Sequence, residues 1–232
     1  MDKINIGQWN CRSAISNKVN LENLLLSEIW LKPERYIALS GYNIVRKDRL
    51  DGKGGVAILL KQNIKYTQIS GLNLDNIFYV GLKIGLKNNI ELTLISVYIK
   101  PNTKIKLSTW NKFFSLFKKP FLIGGDFNAH HEAWGCSESD VYGKTLSESL
   151  DLNNFVYLNN GKPTRLNPIN GRNSAIDLSL TSPCFQPLVQ WNTLNDYIVL
   201  KSKFFVVIFC CLNLHCYFYK TFKLRYLLII NE

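Results

Sequence analysis

Ile123-Gly124-Gly125-Asp126-Phe127-Asn128-Ala129-His130-His131 is the stretch on which the fold turns. The apolar run Phe121–Ile123 reads as a short buried strand, and two glycines end it. Asp126 and Asn128 follow, two positions apart. On an extended chain such residues point to the same side, so both face one cleft at a strand end. A carboxylate there can take a proton from water. A neighbouring amide can hold that water, or a phosphate oxygen, without adding negative charge. The same residues also fit a plain Gly-Asp turn closed by a local side-chain bond, and this stretch alone leaves both readings open.

Further strand ends flank it on either side. Ile4–Trp9 reads as a first strand ending in Gln8-Trp9-Asn10-Cys11-Arg12-Ser13, which puts an amide at its tip. Asn17–Leu24 reads as a short helix and Leu25–Ile29 as a second strand. Glu28 falls inside that apolar run, where a carboxylate is costly unless paired or metal-bound; Arg12 is the ordinary ion-pair alternative. Gly54-Gly55 opens a strand at Val56–Leu60, after the turn at Asp51-Gly52. Phe78–Ile84 and Glu91–Tyr98 pair across the turn Gly85–Asn89, leaving Tyr98 near a third strand end. Leu107–Lys118 has helical spacing and stops before Pro120. Lys144–Leu152 is a second helix, and Ser174–Leu180 a strand carrying Asp177. Short strands with helices between them predict a layered α/β sandwich rather than a bundle.

The chain has 232 residues, with 28 Lys and Arg against 17 Asp and Glu, a formal charge of +11. Such a surface attracts polyanions. The charge is uneven: between Gly124 and Asp151 six acids face one base, Lys144. That pattern fits a cation site facing a polyanion, and equally a solvated loop. The six cysteines form no CxxC pair, and the N-terminus has no signal-peptide pattern. Free thiols and an intracellular setting, nuclear or cytoplasmic, are therefore expected. Residues 204–232 run apolar without a period. The run is short of the roughly 20 residues a membrane span needs, and Asn213 and His215 interrupt it. We expect a domain at 1–203 followed by an unmatched hydrophobic tail at 204–232, such as readthrough past a broken end.

In this order the pieces resemble the endonuclease/exonuclease/phosphatase superfamily, the DNase I-like fold, and more narrowly the endonuclease domain of jockey-like non-LTR retrotransposons. The motifs are Gln8–Ser13, Leu26-Ser27-Glu28-Ile29-Trp30-Leu31, Gly41-Tyr42 followed by Arg46–Arg49, and Gly54–Ile58. They continue with Val97-Tyr98-Ile99, Gly125–His131, Trp134-Gly135, Gly161-Lys162-Pro163-Thr164 and Ile176-Asp177-Leu178. Each piece is weak; the ordered set, spanning about Ile4 to Leu200, is specific. The resemblance implies a four-layer α/β sandwich with two mixed β-sheets flanked by helices, truncated near the N-terminus and C-terminus. It implies DNA as partner, Mg²⁺ or Mn²⁺ as cofactor, no small-molecule cofactor and no membrane contact. It assigns Asn10 and Glu28 to the cation, and Asp126 to orienting or deprotonating water. Asn128 would position the water and a phosphate oxygen. Tyr98 would donate to the phosphate or leaving oxygen, and Asp177 would orient a catalytic His. Arg12, Arg46 and Arg49, with His130 and His131, are the candidate phosphate and DNA contacts; solvated surface charges account for the arginines as well.

Two departures bear on activity. The family has a Ser-Asp-His run before its last strand, whose His contacts the scissile phosphate and pairs with the Asp matching Asp177. Here the matching place reads Thr193-Leu194-Asn195-Asp196-Tyr197-Ile198-Val199-Leu200-Lys201, without His. His130 and His131 lie in another loop, and His215 lies in the tail. The Asn10-to-Glu28 connection is also short for a crossover with a full helix. With no reverse transcriptase following, the expectation is a decaying copy of an endonuclease with impaired DNA nicking. The alternatives are a non-catalytic nucleic-acid-binding relic and a lipid or inositol phosphate phosphodiesterase of the same fold. The Trp9–Ser13 and Asn128–His131 pieces argue against the last.

Overall fold

The computed structural model describes residues 3–11, 23–70, 72–74, 76–86, 89–166, 173–194 and 204–210. Two six-stranded sheets face each other. The first contains β1 (Lys3–Asn10), β2 (Asn23–Ser27), β3 (Tyr42–Lys47), β4 (Val56–Lys61), β13 (Val189–Leu194) and β14 (Phe204–Cys210), in the order β13-β14-β1-β2-β4-β3. The second contains β5 (Tyr66–Gln68), β6 (Ile77–Gly85), β7 (Glu91–Ile99), β8 (Phe121–Asp126), β9 (Val156–Tyr157) and β12 (Asp177–Thr181), in the order β5-β6-β7-β8-β12-β9. A small ribbon pairs β10 (Arg165–Leu166) with β11 (Asn173–Ser174). Both sheets are mixed: β1 runs parallel to β2 and β7 parallel to β8, while the other pairs are antiparallel.

Period-two alternation sorts the side chains. Ile4, Ile6, Leu25, Ile58 and Leu60 of the first sheet meet Val80, Leu82, Leu94 and Leu122 of the second in a central core. On the outer face of the second sheet, Tyr79, Ile95, Val97, Phe121 and Ile123 pack beneath two helices, α1 (Leu107–Phe114) and α2 (Val141–Leu152). Each buried Phe or Leu there stabilises the fold by about 1.5–3 kcal/mol. On the outer face of the first sheet, Trp9, Leu24, Leu26 and Leu59 are covered by Ile29, Leu31, Ile37 and Leu39 from the segment after β2. Among the described residues this segment, not a helix, forms the outermost layer on that side.

Several expectations shift. The helix expected over Leu107–Lys118 ends at Phe114: beyond it Leu116 N–H bonds Phe113 O and Phe117 N–H bonds Phe114 O, which tightens the chain into 3-10 turns. The second helix begins at Val141 rather than Lys144. Asp140 caps it through Gly143 N–H at 2.6 Å, and Gly143 lies in the first turn because a Cβ there would overlap the His130 carbonyl. The short helix expected at Asn17–Leu24 falls largely outside the described residues; its last two positions belong to β2. Phe204–Cys210, expected in an unmatched tail, forms β14 between β13 and β1. Among the described residues no helix is long and apolar enough to cross a membrane.

Candidate active site

Register brings the chemistry-bearing strand ends together. Tyr98 on β7 stands opposite Asp126 on β8, and Asp126 stands opposite Asp177 on β12, so three adjacent strands present a row at one end of the second sheet. In the first sheet Asn10 ends β1 opposite Ser27, and Glu28 follows β2. The two sheets meet where Asn10 Nδ2 donates to Asp126 Oδ2 at 2.6 Å.

Two close approaches explain the paired glycines, one to the facing sheet and one to the neighbouring strand β7. A Cβ on Gly124 would lie 2.6 Å from Gln8 Oε1 and 2.8 Å from Leu25 Cδ1, and one on Gly125 would overlap the Val97 backbone. Gln8 fills the space between the sheets: its Nε2 donates to Gly125 O at 3.3 Å, and its Oε1 accepts from Ser179 Oγ at 2.7 Å. Ser179 Oγ in turn accepts from Trp191 Nε1 at 2.9 Å. Behind the row, Asp177 Oδ2 accepts from Thr164 Oγ1 at 3.0 Å, and Asn159 Nδ2 donates to Asp177 O. Asn128 adopts φ 46°, in the left-handed region that Asn tolerates better than most residues. That turn lets its N–H donate to Asp126 Oδ1 at 3.0 Å while its Nδ2 donates to Ile99 O at 2.8 Å. The local Asx bond therefore exists, closing the Asp126–Asn128 turn at the end of β8.

Asp126 is 1% exposed and Asp177 2%. Burial pushes the Asp126 carboxyl well above the ordinary carboxylate range. The charges of Asp177 and Glu28 push it further, against the pull of the Asn128 N–H and Arg165. Tyr98 is also raised, first by burial and then by the Glu28 and Asp126 charges, so its phenol keeps its proton. Three carboxylates thus share one end of the sandwich. Among the described residues no cluster of three or more His, Cys, Asp or Glu side chains is arranged as a metal cage. A small hard cation does not need one, since one or two carboxylates plus waters suffice for Mg²⁺. One carboxylate and one amide, beside a carboxyl held high by like charges, fit such an ion.

Glu28 and Tyr98 line an open cleft of about 940 Å³ whose other walls are Trp30, Lys32, Glu34, Arg35, Arg49, Asp51–Gly54 and Lys100-Pro101. Its basic side chains are Lys32, Arg35, Arg49, Lys53 and Lys100, against the acids Glu28, Glu34 and Asp51. Gly54 passes so close to the Tyr98 ring that a Cβ would overlap it. Asp126, Asn128 and Asp177 are not among the lining residues.

The remaining predicted residues divide. Arg49 lines the cleft, bonds Asp51 at 2.7 Å and lies 4.8 Å over the Phe78 ring. Arg46 does not line it. Its Nη2 donates to the carbonyls of Pro33 and Arg35, and its Nε sits 3.3 Å from Asp48, so its fork holds the 33–35 segment. His130 pairs with Asp140 at 3.0 Å, and His131 accepts from Ala133 N–H and packs against Trp134. Of the six acids between Gly124 and Asp151, Asp126 alone joins the row. Arg12 and residues 195–200 lie outside the described residues. Sequence reasoning gave no role to Thr164, Gln8, Ser179 or the lysines of the cleft. The lysines had a readable signal, since Lys32 follows the Glu28 motif and Lys100 lies two residues after Tyr98.

A family model described as endonuclease-reverse transcriptase matches residues 92–199. The RNA-directed DNA polymerase from the mobile element jockey of Drosophila melanogaster is 24% identical over 173 residues, 69% of this chain. The probable RNA-directed DNA polymerase from the transposon X-element of the same fly is 29% identical over 167 residues, also 69% of this chain. The alignments cover 19% and 18% of those relatives, so the chain spans about a fifth of their length. Among solved structures, the endonuclease domain of TRAS1, a telomere-specific non-LTR retrotransposon, superposes with a TM-score of 0.72 at 21% identity, covering 89% of this chain and 98% of that one. An AP endonuclease from Leishmania major gives 0.70 at 11% identity, covering 90% and 88%. Fold and sequence matches point the same way: the chain is similar to proteins of the endonuclease/exonuclease/phosphatase superfamily. The sequence relatives are proteins of mobile elements, jockey and the X-element among them.

Proposed function

We propose that the chain is a divalent-cation-dependent endonuclease domain that nicks DNA, with chemistry weakened by the missing histidine. The row Tyr98–Asp126–Asp177, tied to Asn10 across the sheets and reaching the basic cleft through Tyr98, which lines it with Glu28, carries this reading. Asn10 and Glu28 hold the cation. When bound, such an ion supplies positive charge to offset what builds on the phosphoryl oxygens. Asp126 orients the attacking water and takes its proton, and its raised affinity for protons suits a base. Asn128, fixed by its bonds to Asp126 and Ile99, positions the water and a phosphate oxygen. Tyr98 keeps its proton and donates it in a hydrogen bond to a phosphate oxygen. Arg49 with the lysines of the cleft attracts the flanking phosphates. Asp177 is held by Thr164 and would orient a histidine that the matching stretch lacks.

The test is nicking of supercoiled plasmid with Mg²⁺ and with EDTA. We expect slow, EDTA-sensitive nicking, abolished in Asp126→Ala and raised about 10²–10⁴-fold when Ser-Asp-His is inserted after Asp196. If wild type, Asp126→Ala and the insertion variant all nick alike, the chain is instead a non-catalytic binder of nucleic acid.

A further inference from the structure

Trp30 is a large apolar side chain that the site chemistry does not use, placed where an anion is expected. It is 45% exposed and lines the cleft two residues from Glu28. Single exposed hydrophobics are common and need no explanation; this one is held on purpose-built backbone. Its φ is 51°, in the left-handed region that bulky residues rarely adopt. Its N–H is tied to Gly54 O at 2.9 Å. The segment that follows is pinned by Arg46 through the Pro33 and Arg35 carbonyls. The cationic side chains of Lys32, Arg35, Lys53 and Lys100 share the cleft with it. An indole plane on a fixed arm among phosphate-attracting cations is the pairing by which proteins hold bases that are out of the stack.

We propose that Trp30 is a stacking platform for an unstacked base. The cleft then prefers DNA that is locally single-stranded beside the phosphate held near Glu28 and Tyr98. This rests on the reading that the cleft takes nucleic acid, and not on the chain cutting it.

The experiment uses the whole chain in EDTA, where cation-dependent cutting is off. Fluorescence anisotropy measures the affinity for a labelled oligodeoxynucleotide strand and for its blunt duplex. Trp30→Ala should weaken strand binding by about 10–100-fold and duplex binding far less, while Trp30→Phe, which keeps a ring, should retain most of the wild-type affinity. Trp9, Trp110 and Trp134 are buried and Trp191 is half-buried. Bound strand should therefore shield the wild-type fluorescence from acrylamide, and this shielding should vanish in Trp30→Phe. The inference is overturned if Trp30→Ala binds the strand like wild type, if strand and duplex weaken equally, or if the strand gives no shielding. A chain that never nicks plasmid but passes these tests loses the proposed chemistry and keeps this platform.

Discussion

Asp126 is the residue on which the site's electrostatics converge. Its two oxygens accept from Asn10 Nδ2 and Asn128 N–H, yet burial, Asp177 and Glu28 all favour its protonated form. A carboxyl whose folded pKa is raised binds its proton more tightly in the native state. Its stabilising contribution is therefore complete below the unfolded value and is lost as pH rises through the folded one. Asn at this position carries no charge to be repelled. In EDTA, the melting temperature of Asp126→Asn relative to wild type should climb steadily from pH 5 to pH 8, whatever its offset at pH 5 from the lost acceptor. A difference that stays flat across that range would show that burial and the neighbouring carboxylates do not raise the Asp126 carboxyl. Tyr98 and Asp126 stood out in the sequence as strand-end residues, whereas Asp177 lay within an expected strand and only the family resemblance singled it out. The supports of the row did not stand out. Gln8 and Ser179 meet across 171 positions, and Thr164 reaches Asp177 from a loop, so no local pattern announces either. Arg46 was misplaced for a related reason: a guanidinium fits a backbone carbonyl as well as a phosphate, and only the path of the 33–35 segment decides between them.

At the scale of elements, the site depends on β8 lying flush against β7 on one side and facing β1 across the core. Gly125 permits the first contact and Gly124 the second, since added Cβ atoms would overlap the Val97 backbone and crowd Gln8 and Leu25. Backbone cannot rotate out of the way as a side-chain tip can. Gly125→Ala should accordingly cost about 3 kcal/mol or more, beyond the usual range for overpacking, read as a lower urea midpoint at unchanged slope. A midpoint within error of wild type would mean that β7 and β8 can part without loss. Strands with strong apolar alternation or turn signals were readable in advance, as β6 and β7 show. β3, β5 and β9 were not. β5 is wholly exposed and three residues long, and β9 has two residues, so neither carries enough apolar pattern to stand out from a loop. β14 was hidden for the opposite reason: it is apolar throughout, and nothing in its periodicity separates a strand between two others from a segment with no place in the fold.

The whole molecule carries a formal charge of +11, but a net value does not say which surface a polyanion uses. The acidic run between Gly124 and Asp151 lies mostly along α2 and its approach, whereas Lys32, Arg35, Arg49, Lys53 and Lys100 gather around the cleft lined by Glu28 and Tyr98. DNA drawn to that cleft releases about one condensed counterion per neutralised phosphate, so five contacts predict a slope of log affinity against log salt near −4.5, about 10²–10³-fold between 50 and 200 mM. Lys100→Ala, which removes one cation without touching the carboxylate row, should weaken duplex binding similarly for unrelated sequences and flatten that slope by about 0.9. Lys144→Ala, on α2, should leave the slope where it was. If the two variants changed it alike, binding would follow overall charge, and the cleft beside Glu28 would not be where DNA lies.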